Sequence, residues 1–135
     1  MITQKYITDL TYRINGACIE VHKILGSGLS EIVYHKALEK EFKLRKINYK
    51  SEFQIPVIYK EEILNCDFKC DFLIEDLIVL EIKAVSTILD LHKSQVLNYM
   101  NLLKVPKGIL VNFNVKNLYH LGQETFINKY FDQLD

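Results

Sequence analysis

The chain has 135 residues, of which 49% are hydrophobic and 25% are charged, with 17 basic and 17 acidic side chains and three cysteines. These values fit one folded domain over residues 1–135 and exclude a disordered chain. An odd cysteine count with no CxxC pair argues against a disulfide framework, a four-ligand zinc site and a four-thiolate iron–sulfur cluster. A net charge of zero counts against a protein that coats nucleic acid, and less against an enzyme whose clustered carboxylates offset basic residues elsewhere.

Two absences bear on location. No apolar run approaches the ~20 residues needed to cross a bilayer. The first five residues lack the basic-then-apolar order of a signal peptide. The sequence therefore predicts a cytoplasmic protein with no membrane partner.

The N-terminal third of the chain predicts two helices. From Tyr6 to Leu25, apolar residues recur every three or four positions, which is the spacing of an amphipathic helix. Gly26-Ser27-Gly28 ends this helix, because glycine adopts the left-handed conformation common at helix C-termini. Ser30 is placed to cap a second helix. The apolar stripe expected to pack this helix on a sheet contains Ile32, Val33 and Phe42.

Strand patterns begin near Ser51. Phe53–Tyr59 predicts an edge strand, because it is rich in β-branched and aromatic residues and contains Pro56. Two more strands are predicted from Ile63 to Ile74 and from Leu77 to Val85. The second of these is apolar on both faces apart from two charged residues, which predicts a central place in the sheet.

The C-terminal third predicts a helix over Leu89–Leu103, strands over Gly108–Phe113 and Asn117–Leu121, and a terminal helix over Gln123–Leu134. The complete order is α-α-β-β-β-α-β-β-α. It predicts an α/β fold of the α+β kind, with a mixed sheet flanked by helices.

Charged side chains interrupt the two predicted inner strands. Glu81 and Lys83 lie two apart and therefore project from the same face of their strand. Asp71 is embedded in an apolar run one strand earlier. Such charges are costly in a sheet unless they are paired or bound to metal. Two facing carboxylates could hold Mg²⁺, with Lys83 orienting or deprotonating an attacking water, whereas an ion pair to Lys83 would have no catalytic duty.

The hairpin between these strands decides whether the two carboxylates meet. A two-residue loop at Glu75-Asp76 would put Asp71 opposite Leu80, with its side chain on the wrong face for Glu81. A three-residue loop ending at Leu77, or a one-residue bulge, would instead pair Asp71 with Glu81. The metal-site hypothesis requires this second register.

The same residues resemble a known family. Asp71 followed by Glu81-x-Lys83 resembles the core motif of the PD-(D/E)XK nuclease superfamily, and Cys70 stands where the motif has proline. Gly28 to Tyr34 reproduces the GxxExxY motif of a bacterial and archaeal family in that superfamily, and Gln95 to Tyr99 resembles the QxxxY motif of RecB-type nucleases. The resemblance runs from about Ile14 to Leu121 and implies a restriction-endonuclease-like core.

The resemblance also implies roles. It implies a nuclease that uses Mg²⁺ or Mn²⁺ and acts on DNA, with Asp71 and Glu81 as metal ligands and Lys83 as the catalytic lysine. Glu31 is expected to approach the metal, with its carboxylate within about 6 Å of the other two. Further residues expected to line or support the site are Tyr34, His92, Gln95 and Tyr99.

Several alternatives stay open at this stage. Tyr34 and Tyr99 can also be core residues, and His92 can cap its helix rather than contact a phosphate. The whole domain can be a non-catalytic nucleic-acid-binding or protein-interaction module on the same fold. A domain of this size could also need a second copy of itself, as a homodimer, or a partner protein in order to bind a duplex.

Overall fold

The computed structural model describes all 135 residues, and the major elements follow one another in the predicted order, with one added hairpin. The helices are α1 (Gln4–Leu25), α2 (Glu31–Leu44), α3 (Asp90–Leu103) and α4 (Lys129–Asp132). The strands are β1 (Tyr49–Gln54), β2 (Ile58–Tyr59), β3 (Glu62–Ile63), β4 (Lys69–Ile74), β5 (Ile78–Lys83), β6 (Lys107–Asn112) and β7 (Gln123–Ile127). None of the helices combines the length and the apolar character needed to span a bilayer.

Five strands form one mixed sheet in the order β1-β4-β5-β6-β7. Strands β5 and β6 are parallel, and every other neighbouring pair is antiparallel. Helices α1 and α2 pack on one face with a large apolar core, and α3 packs on the other face with a smaller one. Strand β5 is central, as predicted, because both of its faces are covered.

Helix α1 matches its predicted bounds closely. The Thr3 hydroxyl accepts a hydrogen bond from the Tyr6 N–H at 3.1 Å and caps the first turn. Gly26 has a φ of 73°, and its N–H donates to the His22 carbonyl, which ends the helix.

Helix α2 differs from the prediction in its buried face. Tyr34, Leu38 and Phe42 are fully buried, because residues four apart lie on one side of a helix. Ile32 and Val33 are 66% and 40% exposed, so the expectation that they pack on the sheet is wrong. Ser30 precedes the helix as predicted, but its side chain makes no capping hydrogen bond.

The β4–β5 hairpin has the register that the metal-site hypothesis requires. Ile74 pairs with Ile78 and Phe72 with Leu80, and the same register extended by one residue brings Asp71 opposite Glu81. The loop contains Glu75 and Asp76 in the left-handed conformation, followed by one extra residue, Leu77. The Leu77 N–H donates to the Ile74 carbonyl at 2.9 Å, which closes the turn.

Other strand boundaries were predicted wrongly. Pro56 lies between β1 and the separate β2–β3 hairpin, so the predicted strand Phe53–Tyr59 is divided, and so is the run from Ile63 to Ile74. Near the C-terminus, Leu118–Gly122 forms a π-helical turn where a strand was predicted. Gln123–Ile127 is a strand rather than the start of a helix, because it pairs with β6 along its length.

Candidate active site

Asp71 and Glu81 lie side by side at one edge of the sheet. Each carboxylate accepts a hydrogen bond from the backbone of the other residue's strand. The Asp71 N–H donates to Glu81 Oε1 at 3.2 Å, and the Ile82 N–H donates to Asp71 Oδ2 at 2.8 Å. Glu81 is only 6% exposed. Burial raises the pKa of its carboxyl well above the ordinary value, and the adjoining Asp71 carboxyl raises the pKa further.

Lys83 closes β5 at the same edge. It is half-buried and, being two residues from Glu81, lies on the same face of the strand. None of the ion pairs in the structure includes Lys83, Asp71, Glu81 or Glu31. The ion pair considered as a structural alternative for these residues is therefore not formed.

The start of α2 approaches the acidic pair across a cavity of about 260 Å³. The residues lining this cavity include Glu31, His35, Ser51, Glu52 and Asp71. Partial burial raises the pKa of Glu31, and the charges of Lys83 and Asp71 act on it in opposite directions. Glu31 and Asp71 thus face one cavity, while their predicted separation of about 6 Å stays a prediction.

Tyr34 does not line this cavity, and that expectation is wrong. Its ring is fully buried and stacks on Phe113, with ring centroids 4.4 Å apart and planes 9° from parallel. Its hydroxyl donates to the Gly26 carbonyl at 2.6 Å and accepts from the Leu29 N–H at 3.2 Å. Tyr34 therefore fixes the turn that precedes α2 and, through that turn, the place of Glu31.

Tyr99 of helix α3 lies near the acidic pair. Tyr99 is 7% exposed and packs edge-on against Phe68. Burial raises the pKa of Tyr99 to about 12, and the charges of Glu81 and Asp71 raise it as well. The hydroxyl therefore stays protonated at neutral pH and can donate a hydrogen bond toward the site.

The structure shows no direct hydrogen bond between the acidic pair and the other predicted site residues of α3. Gln95 is half-buried one turn before Tyr99, and its role at the site stays a prediction. His92 Nδ1 accepts a hydrogen bond from the Leu89 N–H at 3.0 Å, which is the capping role considered as its alternative.

Two polar residues at this edge were not singled out from the sequence. Asn112 is 5% exposed and lies beside Lys83 in the parallel register of β5 and β6. Its Oδ1 accepts from the N–H groups of Val85 at 3.1 Å and Asn114 at 3.2 Å, and its Nδ2 donates to the Val85 carbonyl at 2.9 Å. Asn112 therefore holds the backbone that follows Lys83. A buried amide inside an apolar strand is itself a signal, because it is costly without partners.

His35 is the second of these residues. Its ring stacks on Phe72 at 4.2 Å, and Nε2 lies 2.7 Å from the Ser51 hydroxyl oxygen. It follows Glu31 by four residues, so both side chains reach the same cavity from one face of α2. The helical spacing was the available signal.

The donor set fits a hard divalent cation. The two carboxylates converge without an ion pair to any basic side chain, and Glu81 is almost fully buried, an arrangement that a positive ion would stabilise. The structure contains no group of three or more His, Cys, Asp and Glu side chains arranged to hold a metal ion. Mg²⁺ needs only one or two protein carboxylates, because water and phosphate oxygens complete its coordination. Asp71 and Glu81 could therefore hold Mg²⁺ or Mn²⁺ together with water and phosphate oxygens.

A five-stranded mixed sheet flanked by helices, with an acidic pair and a lysine at one edge of its central strands, defines a restriction-endonuclease-like fold. The model of the family described as PD-(D/E)XK nuclease superfamily matches residues 8–123. The chain therefore belongs to the PD-(D/E)XK nuclease superfamily, whose members are usually metal-dependent nucleases. No curated protein and no solved structure matches the chain significantly.

Proposed function

We propose that this protein, as a member of the GxxExxY family, hydrolyses phosphodiester bonds of DNA with Mg²⁺ or Mn²⁺ held by Asp71 and Glu81. The observation that carries the proposal is the acidic pair of half-buried Asp71 and buried Glu81, which forms no ion pair and has Lys83 on the same face of the strand. A cytoplasmic location, and a second copy or partner protein on the duplex, belong to the same proposal.

Each residue has a part in this reaction. Asp71 and Glu81 hold the cation, which when bound polarises the phosphodiester and stabilises negative charge on its oxygens. Lys83 orients the attacking water and assists its deprotonation. Glu31 contributes to the cation site through water, and Tyr99 and Gln95 hold the site or the nucleic-acid strand.

The charge arrangement supports a site that is completed only by a cation. Glu81 is almost fully buried, and both burial and the adjoining Asp71 raise the pKa of its carboxyl, while no ion pair with a basic side chain offsets their effect. A divalent cation held by Asp71 and Glu81 would stabilise both carboxylates in their charged form and would supply the positive charge that polarises a phosphate.

The test combines binding and cleavage. Calorimetry should show Mn²⁺ binding by the wild type and much weaker binding by Asp71→Asn, while Asp76→Asn at the opposite end of the hairpin binds normally. Lys83→Ala should retain the fold and cation binding but lose cleavage of DNA, because the lysine contributes to rate rather than to the core. The matched control is Lys107→Ala, which removes a half-buried lysine from the opposite end of β6.

Two outcomes would contradict the proposal. Equal Mn²⁺ binding by the wild type and Asp71→Asn would remove the metal assignment. Cation and DNA binding without cleavage of any DNA form would identify the protein as a non-catalytic nucleic-acid-binding module.

A further inference from the structure

The connection between β6 and β7, residues 113–122, emerges beside the candidate active site. Because β5 and β6 are parallel, Lys83 and Asn112 end their strands at the same edge. The Phe113 N–H donates to the Lys83 carbonyl at 2.8 Å, which ties the start of the connection to the strand that carries the lysine. The connection therefore adjoins Lys83 on the side away from Asp71.

Hydrogen bonds and burial hold this connection in place. Leu118 is 2% exposed and belongs to the core under α1. His22 Nε2 lies 2.7 Å from the Val115 carbonyl oxygen, and the Asn117 side chain accepts from the His120 N–H at 3.1 Å. These contacts therefore anchor the segment from Val115 to His120, which contains the first half of the π-helical turn.

Close packing fixes the end of the turn. A Cβ placed on Gly122 would lie 2.7 Å from the Asn112 carbonyl oxygen and 2.6 Å from Leu118 Cδ1. Only glycine allows this approach, so the turn lies directly against the strand end next to Lys83. The backbone that carries its exposed side chains consequently keeps a fixed position relative to the site.

The outer surface of the turn is aromatic, apolar and free of acidic residues. Tyr119 is 68% exposed and Leu121 is 70% exposed. Residues 113–122 contain Lys116 and His120 but no Asp or Glu. Leu121 also borders a cavity of about 330 Å³, on whose wall Lys93 of α3 forms an ion pair with Glu124 at 3.5 Å. Cavities that hold small ligands begin at about 300 Å³, so this one has room for part of a nucleotide.

We propose that this turn binds an unpaired base of a nucleic-acid strand by stacking it on Tyr119, with Lys116 near the adjoining phosphate. The proposal rests on the proposed function, since the strand is the one that passes Lys83. Every base presents a flat face to an aromatic ring, so such stacking is tolerant of sequence but requires a base that has left the duplex. The site should therefore favour single strands, flaps and frayed ends over a continuous duplex.

The binding test uses three labelled DNA probes of one sequence: a single strand, a duplex with a single-stranded flap, and a blunt duplex. Fluorescence anisotropy in EDTA, and in parallel in Ca²⁺, measures affinity apart from cleavage. Tyr119→Ala should weaken binding of the single strand and the flap by about 5- to 150-fold, which is the range for loss of one stacked base. Binding of the blunt duplex should not change.

Two variants serve as controls. Tyr119→Phe keeps the ring and should bind as the wild type does. Tyr12→Ala removes another exposed tyrosine, 81% exposed on α1, and should also have no effect. A 2-aminopurine placed in the flap should be quenched by the wild type and by Tyr119→Phe, and should stay bright with Tyr119→Ala, because quenching reports stacking.

The outcomes separate this proposal from the proposed function. Unchanged flap binding by Tyr119→Ala, an equal loss on all three probes, or no binding of any probe by the wild type would overturn the base-stacking site. A wild-type oligomer that dissociates in Tyr119→Ala would overturn it too, by assigning the ring to a protein interface. Probe binding that depends on Tyr119, with no cleavage in Mg²⁺ or Mn²⁺, would overturn only the proposed function.

Discussion

Replacing Asn112 with leucine tests how the sheet holds the candidate active site. Leucine has the same branched shape, although it is larger, and makes none of the three side-chain hydrogen bonds to Val85 and Asn114. Each such bond contributes about 1 kcal/mol net, so the free energy of unfolding should fall by about 3 kcal/mol. For a chain of this length, that loss lowers the melting temperature by about 10 °C.

The same substitution should impair cleavage more than stability alone explains. Asn112 fixes the segment two residues beyond Lys83, and a misplacement of a catalytic group by about 1 Å can cost on the order of 100-fold in rate. Cleavage is measured well below the melting temperature, so that the variant is fully folded. The reduced rate should therefore reflect the position of Lys83 and not the fraction unfolded.

Thermal and urea unfolding of Asn112→Leu give the stability, with Asn98→Leu on the exposed surface of α3 as the matched control. The control should lie within about 0.5 kcal/mol of the wild type. A loss below about 1 kcal/mol in Asn112→Leu, together with normal cleavage, would refute the assignment of Asn112 as the residue that holds this edge.

Two further variants address the acidic pair and the turn before α2. In metal-free buffer the raised pKa of Glu81 means that the folded state holds a proton that the unfolded state releases. The free energy of unfolding should therefore fall as pH rises from the ordinary carboxyl range through the raised pKa. Glu81→Gln should lack this fall. Identical pH profiles of the two proteins, measured by urea unfolding, would contradict the assignment of a raised pKa to Glu81. Tyr34→Phe keeps the stacking on Phe113 but loses both hydroxyl hydrogen bonds, which should cost about 1–2 kcal/mol in the same assay. A variant as stable as the wild type would show that the hydroxyl does not hold the turn.

The central part of the fold could be predicted from the sequence, because the residue patterns of α1 and β5 are strong. The apolar period of α1 ends at a glycine that has the expected positive φ. The two-sided apolar character of β5 indicated a central strand, and of the two hairpin registers considered, the structure has the one that the metal-site hypothesis requires. In each case the local pattern and the long-range packing agree.

The errors arose where a distant partner decides the structure. Gln123–Ile127 has no strong pattern of its own and becomes a strand because β6 pairs with it. Ile32 and Val33 are apolar but lie outside the stripe that the core selects, which continues from Tyr34 at intervals of four. The partner of Asn112 lies 27 positions earlier at Val85, a contact that no local spacing reveals.

The hydrogen bonds between the acidic pair and the strand backbone have a practical consequence. The amide protons of Asp71 and Ile82 are donated to carboxylate oxygens rather than to carbonyl groups of the neighbouring strand. Any ion that draws electron density from those oxygens changes both bonds and with them the chemical shifts of the two amides. A ¹⁵N-labelled sample thus contains two native reporters of site occupancy, and titrating them follows cations or substrate analogues without a probe in the site.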